Sequence, residues 1–233
     1  MALRLFEGND HAAAYLQYRV SPHELICRIM DYMETMMPKQ LDLAVDVGCG
    51  SGQGTILLAP YFTKVVGTDV SPAQLKMAVA NSIPPNVSYR QCPAEELPFA
   101  SGEVDLVTAM TAAHWFDRQK FLLEADRVLR PGGCLALLSY SMDMELEYGD
   151  VSNALNDICK ECLRVKRITP LSGYIGMVET FSSYQILQQK DPAAAERLSN
   201  EARTRLIAAM KVSSPDAEVT VVVKYFYWLA CKP

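Results

Sequence analysis

The segment Ala44–Thr55, AVDVGCGSGQGT, constrains this chain more than any other. An apolar run from Leu41 to Val47 ends on glycines at 48, 50 and 52, and helix-compatible residues follow from Ile56 to Tyr61. That order predicts a buried strand, a turn only glycine tolerates, and a helix start whose free N–H groups face a ligand. The spacing also separates two ligand classes. A dinucleotide loop wants G-x-G-x-x-G for its pyrophosphate, whereas the sixth position counted from Gly48 is Gln53. The glycines alternate instead, and Asp46 stands two residues before the first. Such a loop suits a ligand with an ammonium group and an uncharged, sulfur-linked ribose better than it suits a pyrophosphate. A tight strand–helix turn with no ligand is the plain alternative, and the rest of the chain must decide.

Strand-like runs recur at Leu41–Val47, Val65–Val70, Val87–Gln91, Val104–Met110 and Cys134–Tyr140. Helical stretches lie between them near Gly54–Tyr61, Pro72–Asn81 and Asp117–Leu129. Strands alternating with helices predict a Rossmann-like α/β fold, its mostly parallel sheet covered on both faces. Arg130-Pro131-Gly132-Gly133 reads as a helix stop and a turn into the next strand. Val151–Met210 reads as mostly helical and polar, broken by Pro170, Gly173, Gly176 and Pro192. Glu218–Cys231, EVTVVVKYFYWLAC, is one long β-branched and aromatic run with no crossover helix after it, so it is expected to join the sheet antiparallel.

At 233 residues, half of them hydrophobic, the chain can bury a full core as one domain. Its net charge is −5 with acids and bases interspersed, and no run of Lys or Arg could track a phosphate backbone, so nucleic acid is not expected as a partner. No apolar stretch approaches the length that spans a bilayer. The opening MALRLFEGND lacks a long apolar core and a small-residue cleavage site, so neither an export signal nor a membrane partner is expected. Seven cysteines scattered through apolar segments read as reduced thiols of a cytoplasmic protein. Cys159 and Cys162 form a C-x-x-C, but no second pair or nearby histidine completes a zinc site. Two neighbours on a helix face are expected there, and no metal.

Ligands of open α/β sheets lie beyond the carboxyl ends of the strands, where strand order reverses. The residues that follow each strand therefore form one candidate site. After the first strand come Asp46, Gly48, Gly50 and Gly52. The second ends at Thr68-Asp69-Val70-Ser71, and a carboxylate at that tip can accept both hydroxyls of a ribose. Asp69 as a mere helix cap is the alternative, yet Ser71 before Pro72 already supplies a cap and leaves Asp69 free for a ligand. After the third strand, Ala94 and Glu95 could sit against an adenine ring and its exocyclic amine. Glu96 there reads as solvated, with Leu97 and Phe99 folded onto the core. The fourth strand runs out through Met110 to His114-Trp115-Phe116-Asp117. A lone histidine is commonly structural, but this one sits beside an aromatic pair at a central strand tip, facing where a substrate would lie.

Together these residues resemble the class I methyltransferases that use S-adenosylmethionine. VDVGCGSGQGT is similar to that family's glycine loop, VVGTDVS to its ribose-binding acid and CPAEELPF to its adenine-side segment. EVDLVTAMTAAHWFD followed by EADRVLRPGG resembles its fourth strand and the following helix. AAHWFD and the N-terminal FEGNDHAAAYLQYRVSPHEL look more narrowly like the small-molecule methyltransferases of the trans-aconitate methyltransferase-like subfamily. The resemblance implies S-adenosylmethionine as cofactor and S-adenosylhomocysteine as product. It implies cofactor contacts at Asp46, Gly48, Gly50, Gly52, Asp69, Val70, Ala94, Glu95 and Met110. Substrate contacts would fall at Tyr15, Tyr18, Arg19, His114 and Trp115, with His114 the catalytic candidate. The organisation it implies is N-terminal lid helices over residues 1–40, a cofactor-binding core over 41–140, a helical cap over 141–215 and a final strand over 216–233. The two tyrosines also fit an amphipathic helix docked on the sheet. In the subfamily a longer stretch precedes the segment resembling RVKRITPLSGYIGM; here Cys162-Leu163 runs almost directly into Arg167-Ile168, which implies a shortened substrate cover.

A sulfonium is already electrophilic, so such a protein has only to hold a nucleophile in line with the S–CH₃ bond. Positioning can supply roughly 7–11 kcal/mol of a barrier, whereas a general base adds about 10²–10⁴-fold. A carboxylate is ionised at neutral pH and needs no base. His114 is then an orienting donor, and a proton acceptor only for an alcohol or amine. No N-P-P-Y or D-P-P-Y occurs, which disfavours a nucleobase target. The expected partner is a small, anionic molecule, with carboxylate O-methylation favoured and Arg19 as its partner cation. Two readings compete: a cofactor-binding protein without turnover, and a nucleotide-dependent oxidoreductase, which Gln53 disfavours. Nothing in the sequence sets an oligomeric state.

Overall fold

The computed structural model describes residues 23–36, 41–80, 84–140, 145–147 and 163–233. Up to Tyr140, strands and helices alternate as α1 (His23–Met36), β1 (Leu43–Val47), α2 (Gln53–Leu58), β2 (Lys64–Asp69) and α3 (Pro72–Ala80). β3 (Val87–Gln91), β4 (Val104–Met110), α4 (Arg118–Val128) and β5 (Leu129–Tyr140) follow. Parallel ladders join them in the order β3-β2-β1-β4-β5. β1 and β4 at the centre are buried almost throughout, as helix-covered parallel strands must be. Strand order reverses between β1 and β4, which opens a crevice at their carboxyl ends.

Local chemistry sets the helix boundaries. Pro72 opens α3, where its missing N–H costs nothing, and Ser71 Oγ accepts the Gln74 N–H at 3.3 Å. Asp117 caps α4 by accepting the Lys120 N–H at 3.3 Å. α1 buries Leu25, Ile26, Ile29 and Met33 at helical spacing and packs on α2 and β5. At the amino-terminal edge of the sheet, Asp105 Oδ2 accepts the N–H groups of Asp42 and Leu43 at 2.6 and 2.7 Å. Its Oδ1 meets Arg130 Nε at 2.5 Å, so one buried carboxylate ties β1, β4 and β5 together.

The chain resolves into two compact units, the first holding the described residues up to Tyr140 together with Tyr225–Pro233. The second contains β6 (Glu145–Glu147), β7 (Leu163–Pro170), α5 (Leu171–Glu179), α6 (Ser182–Lys190), α7 (Pro192–Met210) and the first half of β8 (Glu218–Cys231). Leu171, Ile175, Met210, Val219 and Val221 form its core. β8 runs antiparallel to β5 from Cys134↔Cys231 to Tyr140↔Tyr225, and β6 pairs antiparallel with it at Thr220–Val222. The expected antiparallel final strand is present. No described helix is long and apolar enough to cross a membrane.

Three expectations need correction. Leu163–Pro170 is a strand, not helix: β-branched Val165, Ile168 and Thr169 favour the pleat, burial alternates from Val165 onward, and Pro170 closes it. Arg130–Gly133 is no turn, because β5 begins at Leu129 straight off α4; a register shift against β4 between Val104 and Leu106 absorbs the glycines. The cysteines are not all reduced. Cys134 and Cys231 form a disulfide across the β5–β8 pair, although 97 positions separate them in sequence. Cys27, Cys49 and Cys92 are free. Cys159 and Cys162 lie outside the described residues.

Candidate active site

β1 delivers Asp46 into a loop whose glycines hold φ values of 68° at Gly48, 56° at Gly50 and 80° at Gly52. Residues with a Cβ are strained there, which is why the alternation is glycine. The Cys49 N–H donates to the Thr68 carbonyl at 2.9 Å, and the Gly50 N–H donates to Asp69 Oδ2 at 2.8 Å. The Ser71 N–H donates to Asp69 Oδ1 at 2.8 Å. Asp69 is therefore not free, contrary to the sequence reading. One carboxylate bridges the glycine loop and the start of α3 and keeps acceptor capacity for a ligand. Burial pushes its carboxyl above the usual range, and the N–H groups of Ser71, Gly50 and Val70 pull it back.

Asp46 is 1% exposed. Its Oδ2 accepts the Thr55 hydroxyl at 2.7 Å and its Oδ1 the Thr108 hydroxyl at 2.8 Å, so it anchors α2 and β4 beneath the loop. Burial raises its pKa from 3.8 to about 6, against the pull of both threonines. Neither threonine was foreseen. Tyr89 of β3, also passed over, lies against the loop at Gly52.

On the adenine-side segment Ala94 is buried, as are Leu97 and Phe99, while Glu96 is exposed as expected. Glu95 Oε1 accepts the Asp117 N–H at 2.8 Å, which ties this segment to the cap of α4. Val70 is exposed and Met110 half-buried at the end of β4. Thr111 follows with φ 59°, and its N–H donates to the Leu138 carbonyl at 2.8 Å. A β-branched residue in that conformation stores strain of about 1–3 kcal/mol. Next to it Ala112 packs on the glycine loop. A methyl at Gly48 would lie 2.5 Å from the Ala112 Cβ and 3.1 Å from the Phe116 ring. His114 and Trp115 occupy a 3₁₀ turn, both exposed, with ring centroids 4.9 Å apart. The glycine loop, Asp69 and the turn after β4 thus meet where strand order reverses. Tyr15, Tyr18 and Arg19 lie outside the described residues.

A Rossmann-like sheet, a left-handed alternating-glycine loop and an acid at the next strand tip are the arrangement that the resemblance to class I methyltransferases implied. Residues 45–137 match the family described as a methyltransferase domain. A Dictyostelium discoideum protein named as a methyltransferase is 39% identical over 129 residues, covering 55% of this chain and 47% of that protein. The chain spans about half the length of the curated relatives it matches. A solved structure described as a type II methyltransferase from Anaeromyxobacter dehalogenans superposes with a TM-score of 0.69 at 23% identity, covering 91% of this chain and 97% of that one. Phosphoethanolamine N-methyltransferase 2 of Haemonchus contortus, solved with S-adenosyl-L-methionine, gives 0.55 at 18% identity, covering 99% of this chain and 58% of that one. At those identities the two structures show the fold. Residues 45–137 are thus similar to a methyltransferase domain, and the chain shares its fold with a protein solved with S-adenosyl-L-methionine.

Proposed function

We propose that this chain moves a methyl group from S-adenosylmethionine to a small, anionic molecule, with a carboxylate oxygen the favoured acceptor. The observation that carries the reading is the left-handed alternation of Gly48, Gly50 and Gly52, held in place by Asp69. The close approach that a backbone without Cβ atoms allows suits the amino-acid end of the cofactor. The acceptor capacity that Asp69 retains suits ribose hydroxyls. Val70, Ala94, Glu95 and Met110 are the groups for the adenine, and Asp46 supports the loop from below.

Bound there, S-adenosylmethionine supplies a methyl carbon that is already electrophilic. The protein's own share is alignment, worth roughly 7–11 kcal/mol when geometry is well held. Transfer to a carboxylate oxygen forms one O–C bond as the S–C bond breaks, leaves S-adenosylhomocysteine, and requires no proton movement. His114 orients that carboxylate by donating a hydrogen bond, and would accept a proton only from an alcohol or amine acceptor. Trp115, its ring tilted 45° to that of His114, offers an apolar wall; Tyr15, Tyr18 and Arg19 are further acceptor candidates from the sequence alone. The AAHWFD run supports the trans-aconitate methyltransferase-like subfamily.

Incubation with methyl-labelled S-adenosylmethionine and a cell extract tests the reading. A labelled small acid whose label leaves as methanol in mild alkali is the expected result, since methyl esters hydrolyse and methyl ethers and amines do not. Label confined to macromolecules would overturn it. Cofactor binding with no labelled product would instead favour a protein that binds without turnover.

A further inference from the structure

The glycine loop rests on a side chain from β3. Tyr89 pairs in register with Gly67 of β2, and its ring extends past Gly67 to Gly52. A methyl added at Gly67 would lie 2.7 Å from two carbons of this ring. One added at Gly52 would lie 2.7 Å from the ring carbon bearing the hydroxyl, and closer still to the oxygen. Two glycines on different segments thus make way for one aromatic ring. Glycine inside a strand weakens it and commonly marks a close approach; at Gly67 the approaching group is Tyr89, with Cys49 Sγ next to it.

The contact is packing rather than polar. The phenol oxygen is buried with no well-formed hydrogen bond among the described residues; the Thr55 hydroxyl beside it is given to Asp46. Burial first, then Cys49 and Asp46 beside it, holds the phenol well above its ordinary range, so it stays protonated. A neutral ring of fixed thickness therefore fills the slot between Gly67 of β2 and Gly52 of the loop. We propose that Tyr89 is a positioning residue of the cofactor site: its ring fills the slot between Gly67 and Gly52, sets where the loop's backbone meets the cofactor, and so tunes cofactor affinity. It acts through the loop and needs no contact with the acceptor. The inference rests on S-adenosylmethionine occupying this loop.

Calorimetric titration of the full chain with S-adenosylmethionine, well below its unfolding temperature, tests it. Tyr89→Leu should weaken binding by about tenfold or more, the loss of roughly one well-aligned hydrogen bond. Tyr89→Phe should bind within twofold of the parent, because the oxygen it lacks had no well-formed hydrogen bond. A ring that served stability alone would lower the unfolding temperature and leave the folded chain's affinity intact. Tyr89→Leu binding within twofold of the parent therefore overturns the proposal. So does Tyr89→Phe losing as much as Tyr89→Leu, which would place the role in the hydroxyl. If Tyr89→Leu does not fold, Tyr89→Met, which fills the slot with a flexible chain, is held to the same threshold. A parent chain that binds no S-adenosylmethionine would instead sink the reading of the loop itself.

Discussion

Asp46 and Asp69 flank one loop and serve it in opposite ways. Asp46 is sealed beneath it with hydroxyl partners only, whereas Asp69 holds backbone N–H groups at the crevice. The folded-state pKa of Asp46, about 6, lies above its ordinary 3.8, so folding binds a proton between those values. Its neutral form favours the fold, and that contribution is lost as pH rises through about 6. Asp46→Asn keeps the shape and cannot ionise. Measured by urea unfolding, its stability relative to the parent should climb from pH ~4 to ~6 and level off above; a flat difference would mean that folding leaves the Asp46 carboxyl unshifted. Asp69→Ala should weaken S-adenosylmethionine binding by about 1.5–3 kcal/mol, the range for hydrogen bonds to a charged group. Calorimetry showing affinity within twofold would confine Asp69 to bracing the loop. The glycine positions were legible because a left-handed backbone leaves few alternatives. The second duty of Asp69 was not, since its partner at Gly50 comes within reach only once β1 and β2 pair. Thr55 and Thr108 were hidden likewise, as hydroxyls meeting at Asp46 from α2 and β4.

Among the elements, the readable ones were apolar or aromatic runs bounded by proline, glycine or charge. β3, β4 and β8 keep the bounds their sequences suggested. β7 escaped because LRVKRITP mixes charge with apolar residues inside a polar neighbourhood, where an alternation of two is easily lost in a helical one. The Cys134–Cys231 bond was unreadable for a different reason: it depends on the register of two distant strands. Opening that bond with a dithiol should lower unfolding stability by about 2–4 kcal/mol, because it closes a long loop. Cys231→Ser should reproduce the loss without reductant. Equal urea midpoints for oxidised and reduced chain, with thiols counted by mass, would show that the bond contributes nothing.

Over the whole molecule, the half that follows alternating strands and helices could be anticipated element by element, while in the other the helices and the final strand were legible but β7 was not. The second unit's core draws on Leu171, Ile175, Met210, Val219 and Val221, which no local pattern groups. The cofactor assignment is tested at this scale, because a ligand that binds only the folded chain raises its stability by mass action. S-adenosylmethionine at a hundred times its dissociation constant should add about 2.7 kcal/mol, visible as a higher unfolding temperature, while NAD at the same concentration adds nothing. Stabilisation by NAD alone would reinstate the oxidoreductase reading.

Thr111 bends the chain at the rim of the crevice in a shape that threonine resists. Selection for durability alone would drift toward glycine at that position, which takes the bend without strain. Glycine would also let the rim swing. On the proposed function, a stiff rim would fix the direction from which an acceptor meets the methyl group, and in-line transfer needs one direction.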